Sequence, residues 1–461
     1  MERRNFLRIA ALGGAALMLD GCRKQADNTC DTPAAPAGTM TTRTTPTTGD
    51  TVSLLGFGCM RLPTVGDGAD APIDQDEVNR QVDYALAHGV NYFDTSPAYC
   101  RCFSEAAMGE ALSRHPRNSY FIATKLSNFA PSTWSYEEST AMFARSLEYL
   151  RTDYIDYLLL HAVGGGDDSM ATLSGRYLDN GVLDFLKQKR ADGTIRNLGF
   201  SFHGDPAVFE YLLAMHDRGE VQWDFVQIQL NYVDWQQSKK ENRREIDTDW
   251  LYGELHRRGI PAVIMEPLLG GRLARVPRAV SSAMKARRPD NSLASWAFRF
   301  AGTPEGVLTV LSGMTSMDHL VENVATYSPL VPIDADEEAF LRNMALAIIN
   351  DDSIGCTDCR YCMPCPYGVN IPQVFAHYNR CVLDGDIARA DMPRDADYER
   401  ARQAFLYGYD RSVPRLRQAD HCIGCGTCLS HCPQHIDIPA QMNRIATYAA
   451  ALREEAAADP T

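Results

Sequence analysis

The sequence predicts an α/β architecture, a (β/α)8 TIM barrel followed by a smaller, mainly α-helical module built around cysteines. Three observations lead there. From residue 51 onward, eight short apolar runs alternate with amphipathic helical stretches, the order that folds into a parallel sheet flanked by helices. Polar residues stand at the C-terminal ends of several of those runs, where barrels carry their chemistry. Eight of the fourteen cysteines fall into two tight groups near the C-terminus, and close-spaced quartets are a metal signature rather than a disulfide framework.

The candidate strands are residues 54–59, 90–93, 121–124, 155–160, 195–199, 225–229, 262–265 and 307–311. Between them, Val78, Val82, Ala85 and Leu86, then Phe143, Leu147 and Leu150, recur at helical spacing. His88-Gly89 supplies a C-terminal glycine stop. Eight such units suggest closure into a barrel, with an open doubly wound sheet as the alternative. No Gly-x-Gly-x-x-Gly follows the first strand, which counts against a Rossmann sheet. The domains expected are 1–50 as signal and linker, 51–345 as barrel, and 346–461 as cysteine module. A formal charge of −14 argues against a nucleic-acid partner, which needs a basic footprint, and suits a small-molecule substrate.

The N-terminus reads as an address. Arg3-Arg4-Asn5-Phe6-Leu7-Arg8 precedes an apolar run over residues 9–19, too short to span a bilayer. The run resembles a twin-arginine signal peptide; the alternative is a fortuitous arginine pair before a buried helix. Leu19-Asp20-Gly21-Cys22 resembles a lipobox, which implies a lipid anchor through Cys22. Residues 31–50, rich in Thr, Pro and Ala, read as a flexible tether. The resemblance implies export by the twin-arginine (Tat) route to the periplasm, or to a membrane surface as an anchored lipoprotein. That route carries folded proteins, as a protein loaded with metal clusters in the cytoplasm would require.

Asp94, Lys125, His161 and Ser201 lie at successive strand ends, and Tyr99 follows Asp94 by five residues. Hydride reduction of a carbonyl needs a proton for the developing alkoxide, and a phenol near pKa 10 is a poor donor at neutral pH. A Lys125 ammonium would depress the pKa of Tyr99, Asp94 would hold that ammonium, and His161 would orient the carbonyl. The surrounding runs, Phe93-Asp94-Thr95-Ser96-Pro97-Ala98-Tyr99, Ser104-Glu105, Thr124-Lys125, Leu158-Leu159-Leu160-His161, Gly199-Phe200-Ser201-Phe202-His203, Gln227-Ile228-Gln229-Leu230-Asn231-Tyr232, Met265-Glu266-Pro267 and Leu311-Ser312-Gly313-Met314, resemble the aldo/keto reductase signature set in the same order.

That resemblance implies a nicotinamide dinucleotide, NADH or NADPH, cradled by the segments after strands five and eight and by a glutamine on strand six. The corresponding residues are Ser201, Gln227, Ser312, Gly313, Met314 and Thr315, with Glu322 and Asn323 closing the site. Two departures stand out. Met265 occupies the place of the aromatic that stacks on the nicotinamide. Gly313 and His319 occupy the places of the cations that hold the 2′-phosphate of NADP, so an NADP preference lacks its usual support.

Cys422-x2-Cys425-x2-Cys428-x3-Cys432-Pro433 matches the bacterial ferredoxin ligand run, and Cys356-x2-Cys359-x2-Cys362-x2-Cys365-Pro366 is the same run shortened by one residue. Two [4Fe–4S] clusters are expected. By the ferredoxin cross-over rule, Cys356, Cys359, Cys362 and Cys432 hold one, and Cys422, Cys425, Cys428 and Cys365 the other. Zinc sites also use x2 spacings, but zinc ribbons pair two cysteines with two distant ones. Residues 366–421 exceed the spacer of a minimal ferredoxin and include a helical stretch over 398–407, hence a mainly α-helical ferredoxin-like domain. Cys381 reads as a buried thiol, and Cys100 and Cys102 as loop cysteines beside Tyr99. Trp134 and Trp235 lie in loops that could wall a pocket.

Two functions fit this sequence. One is an oxidoreductase acting on a carbonyl or related small molecule in the barrel, with electrons passing through the clusters to or from a redox protein partner. The other is an iron–sulfur electron-transfer or binding protein whose barrel is catalytically idle.

Overall fold

The structure is a computed structural model that describes residues 39–66, 71–165, 168–241, 246–349 and 352–458. The twin-arginine run, Cys22 and residues 31–38 of the expected tether lie outside the described residues. None of the described helices is long and apolar enough to cross a membrane.

A two-stranded antiparallel ribbon, β1 (Thr42–Thr44) and β2 (Thr51–Ser53), leads into eight parallel strands: β3 (Leu55–Gly58), β4 (Tyr92–Asp94), β5 (Phe121–Leu126), β6 (Ile155–Val163), β7 (Ile195–Phe202), β8 (Phe225–Gln229), β9 (Ala262–Met265) and β10 (Val307–Ser312). The eight close into a barrel in which β10 pairs with both β9 and β3, so the open-sheet alternative is excluded. Several strands outrun their apolar segments because the backbone ladder continues through polar residues. Lys125 pairs with Leu159, Ser201 with Gln227, and Ser312 with Phe57.

Residues 41–50, read from composition as part of a tether, instead belong to the barrel floor. Thr41 N donates to Tyr327 O at 2.9 Å, Thr45 Oγ1 lies 2.7 Å from Tyr157 OH, and Asp50 accepts from Arg196 at 2.8 Å. Threonines suit a ribbon, but only these partners in the distant chain distinguish the ribbon from a linker.

Strand alternation decides what the barrel presents at its mouth. Tyr92 and Asp94 share a face of β4, Ala123 and Lys125 share one of β5, and Tyr157, Leu159 and His161 share one of β6. Tyr92, Ala123, Tyr157, Leu159, Phe225 and Val263 belong to a buried cluster that plugs the lumen. One step further along the same faces come Asp94, Lys125 and His161. The opposite faces, with Phe57, Phe93, Ile122 and Leu158, join the core under the helices.

The C-terminal module has its own core on three helices, Ile371–Asp384, Ala396–Ser412 and Ile438–Ala458, with Phe375, Phe405, Tyr409 and Met442 at its centre. Cys381 is buried there, its Sγ 3.5 Å from His377 Nε2.

Candidate active site and cluster centres

Lys125 Nζ donates to Asp94 Oδ1 at 2.5 Å and to Thr95 O at 2.9 Å. It lies 4.8 Å from the centroid of the Tyr99 ring. Lys125 is 1% exposed and Asp94 2%, so the pair is a buried one. Such a pair is tolerated because each charge satisfies the other. Burial raises the Asp94 carboxyl, against the lowering pull of Lys125. Asp94 Oδ2 has no hydrogen-bond partner among the described residues.

Tyr99 departs from the expectation drawn from sequence. Lys125 was expected to depress its pKa, yet burial pushes the phenol well above its usual 10, and Asp94, Cys59, Glu266 and Cys100 add to the rise. The phenol is therefore held protonated, as a donor must be. Cys100 is no activated thiolate either. Burial raises its pKa, and its thiol donates to Met60 O at 3.4 Å.

His161 is aimed by a local defect. The register between β6 and β7 slips between Leu160 and Val163, and Ala162 takes φ 50°. Such bulges redirect side chains next to active sites. Ser201 Oγ accepts the Ala162 N–H at 2.7 Å, so this residue, expected to touch a cofactor, braces the bulge. Arg176, in a π-helical turn over Ser174–Leu178, donates to His161 O at 2.6 Å. His161 Nδ1 lies 2.6 Å from Ser127 Oγ and 3.3 Å from Ser96 Oγ. Burial, with Lys125, Arg176 and His203 nearby, lowers the His161 pKa well below its usual value, so the ring is neutral. Sequence reasoning missed Ser96, Ser127 and Arg176. The two serines each follow a functional residue of the same strand end by two positions, a signal that was available; Arg176 had none.

Of the residues expected to cradle a dinucleotide, Asn323 Nδ2 donates to Ser312 Oγ at 3.0 Å and Met314 is fully buried. Thr315 Oγ1 lies 3.4 Å from His319 Nδ1. Gln227 Oε1 and Glu322 Oε1 are buried without a partner among the described residues. The neighbouring sector is filled by the chain itself. Arg61 donates to Thr357 O, and Arg272 donates to Ser353 Oγ at 3.3 Å. Tyr361 is close enough to Tyr99, Lys125 and Glu266 to feel their charges. These contacts occupy the sector beside the residues expected to cradle a dinucleotide. The two aromatics proposed as pocket walls serve packing: Trp235 meets Phe300 at 5.7 Å, and Trp134 covers Gly175.

The eight cysteines sort themselves into two groups. Burial raises the Cys362 thiol to about 12, and Cys359, Cys356 and Cys432 add to the rise. Burial likewise raises Cys428 to about 11, with Cys422, Cys425 and Cys365 as the contributing thiols. Those neighbours are the two quartets of the cross-over rule, Cys365 included. The backbone repeats as well. Asp358 and Arg360 take φ 50° and 66°, and at the same offsets in the second run Gly424 and Gly426 take 73° and 75°. Left-handed residues of this kind turn successive N–H groups toward one centre, as at iron–sulfur sites. A cavity of about 200 Å3 is lined by Cys365, Cys422, Cys425 and Cys428, with Cys362 also on its wall. Among the described residues no three His, Cys, Asp or Glu groups converge on a single-ion position; thiolates on separate corners of a cube stand further apart than ligands of one ion. The residues present fit iron–sulfur cubes.

Comparisons agree with this geometry. Residues 54–341 match the model of the Aldo/keto reductase family, and residues 355–436 match that of the 4Fe-4S dicluster domain. The chain is 27% identical over 308 residues to L-galactose dehydrogenase of Arabidopsis thaliana, covering 63% of this chain and 89% of that protein. It is 24% identical to an uncharacterized oxidoreductase of Bacillus subtilis, covering 59% of this chain and 86% of the other. An aldo-keto reductase structure from Bacillus halodurans, in holo form, superposes with a TM-score of 0.52 at 24% identity, over 66% of this chain and 96% of its own. One from Klebsiella pneumoniae, in complex with NADPH, gives 0.51 at 19%, over 66% of this chain and 96% of its own. These two likenesses show the barrel fold. With that family's model matched over the barrel and a dicluster domain beside it, this chain belongs to the aldo/keto reductase family and is an oxidoreductase with iron–sulfur electron transfer.

Proposed function

We propose that the barrel reduces a carbonyl or related small molecule, with Tyr99 as proton donor. The observation that carries this is the buried Lys125, bonded to Asp94 and set 4.8 Å from the Tyr99 ring. A phenol held protonated by burial gives up its proton only as negative charge builds on the substrate oxygen. Lys125 then stabilises the phenolate left behind, and Asp94 keeps the ammonium in place. A hydroxyl donating to His161 Nδ1 leaves the neutral ring its proton on Nε2, free to orient the carbonyl.

Two [4Fe–4S] clusters would be held by Cys356, Cys359, Cys362 and Cys432, and by Cys422, Cys425, Cys428 and Cys365. When bound, such clusters would supply electrons one at a time, refilled by a redox protein partner; reduction of a carbonyl to an alcohol takes two of them and two protons, one to oxygen from Tyr99 and one to carbon from solvent. Cys425, Ile423 and Leu429 are exposed, which gives that partner an approach. The NADPH of one neighbour belongs to that protein and is no part of this reading. The twin-arginine-like N-terminus supports export, with Cys22 as anchor.

The test is anaerobic turnover of a panel of aldehydes and ketones with reduced methyl viologen as electron source, reading alcohol formed. Alcohol from the native chain and none from Tyr99→Phe is expected. Equal yields from both would sink the proposal.

A further inference from the structure

The sector between the loops after β9 and β10 carries its own carboxyl group. Glu266 follows β9 directly and takes φ 53°. Burial raises its carboxyl pKa, against the lowering pull of Arg61 and of the Gly270 N–H from which it accepts. A loop N–H and a guanidinium are the donors that an oxyanion of a phosphate would seek, and here a carboxyl group of the chain has taken them. Arg61 also ties this sector to the loop after β10, since a Cβ on Gly313 would lie 3.9 Å from Arg61 Cβ.

The cluster module closes the same sector from outside. Thr357 sits against Gly270 with no room between them, and its carbonyl takes Arg61. Ser353 meets Arg272. Cys359 and Tyr361 both lie within electrostatic reach of Glu266. These contacts place the first cysteine run against the Glu266 side of the mouth.

We infer that Glu266, together with Arg61 and residues 353–361, determines cofactor specificity by excluding nicotinamide dinucleotides from the barrel. The carboxyl group occupies the donors a pyrophosphate would use, while the module's first loop fills the space a dinucleotide would cross. The inference rests on reading the barrel as an oxidoreductase site, but its consequence is a binding property that needs no turnover.

The test is equilibrium dialysis of the anaerobic, cluster-loaded full chain with NADH and with NADPH. The native chain is expected to show no saturable binding up to about 1 mM, the top of the usual range for such constants. Glu266→Ser, which removes both the carboxyl acceptor and its bulk, is expected to gain binding at least about tenfold tighter than that limit. Glu266→Ala, which removes the same acceptor and bulk, stands in if the serine variant loses its clusters. Saturable binding to the native chain, or an equimolar nucleotide released on denaturation, would overturn the inference. So would cluster-loaded Glu266 variants that gain nothing. Viologen-driven turnover reports separately on the catalytic reading, so the two can fail independently.

Discussion

Gly270 of the barrel and Thr357 of the cluster module touch backbone to backbone: a Cβ added to Gly270 would stand 2.3 Å from Thr357 Cβ and 2.4 Å from its Cα. Gly270 also holds φ 67°, a region other residues enter at a cost. Gly270→Ala should therefore weaken the join between the modules by about 1–3 kcal/mol, the usual cost of overpacking. Hydrogen exchange should rise over residues 352–361 while the strands of the barrel stay protected. Unchanged exchange in that segment would show that the contact does not hold the modules together.

The buried pair at the mouth makes a second prediction. Lys125→Met leaves Asp94 as an uncompensated buried carboxylate, which should destabilise by about 3–5 kcal/mol. Lys125→Met combined with Asp94→Asn should cost less than the lysine change alone. Urea midpoints of these two variants and of Asp94→Asn alone check this. Strict additivity would mean the pair is not coupled.

Glu105 gives the pH prediction. It is 2% exposed and accepts from Thr124 Oγ1 at 2.6 Å, and burial raises its pKa from 4.5 to about 7. The folded state thus holds its proton more tightly than the unfolded chain. Its contribution is complete below the unfolded pKa and is lost as pH rises toward the folded one. Between pH 4.5 and 7 that loss amounts to at most about 3 kcal/mol. Stability measured across this window should fall less steeply in Glu105→Gln than in the native chain. Identical slopes would place the titration elsewhere.

The cluster partition predicts that Cys365→Ser disturbs the cluster of Cys422, Cys425 and Cys428, although Cys365 lies in the other run. Cys432→Ser should disturb the cluster of the first run. Electron paramagnetic resonance of the reduced variants, with iron content, distinguishes the two centres. If each serine variant perturbed the cluster of its own run, the cross-over would be wrong.

These cases show why some features were legible in the sequence and others were not. The barrel could be read because its strands are buried on both faces and so appear as apolar runs, and the quartets because thiolate spacing is written in the chain. The ribbon over Thr42–Ser53 was missed because threonines carry no apolar signal, and its partners Tyr157, Arg196 and Tyr327 lie over a hundred residues away. Tyr99 was misjudged for a different reason. Proximity to Lys125 could be foreseen, but the depth of burial that outweighs it belongs to the folded mouth. Glu266 was quoted as part of a motif, yet its engagement with Gly270 and Arg61 appears only once the loops after β3 and β9 meet.

The central claim is that barrel chemistry and cluster electrons belong to one reaction. Electron paramagnetic resonance of the anaerobically reduced chain, followed after mixing with a panel of carbonyl compounds, tests it most directly. The cluster signals should decay with a fitting carbonyl in the native chain and persist in Tyr99→Phe. Signals that persist in the native chain across the panel, or that decay equally in both proteins, would contradict it.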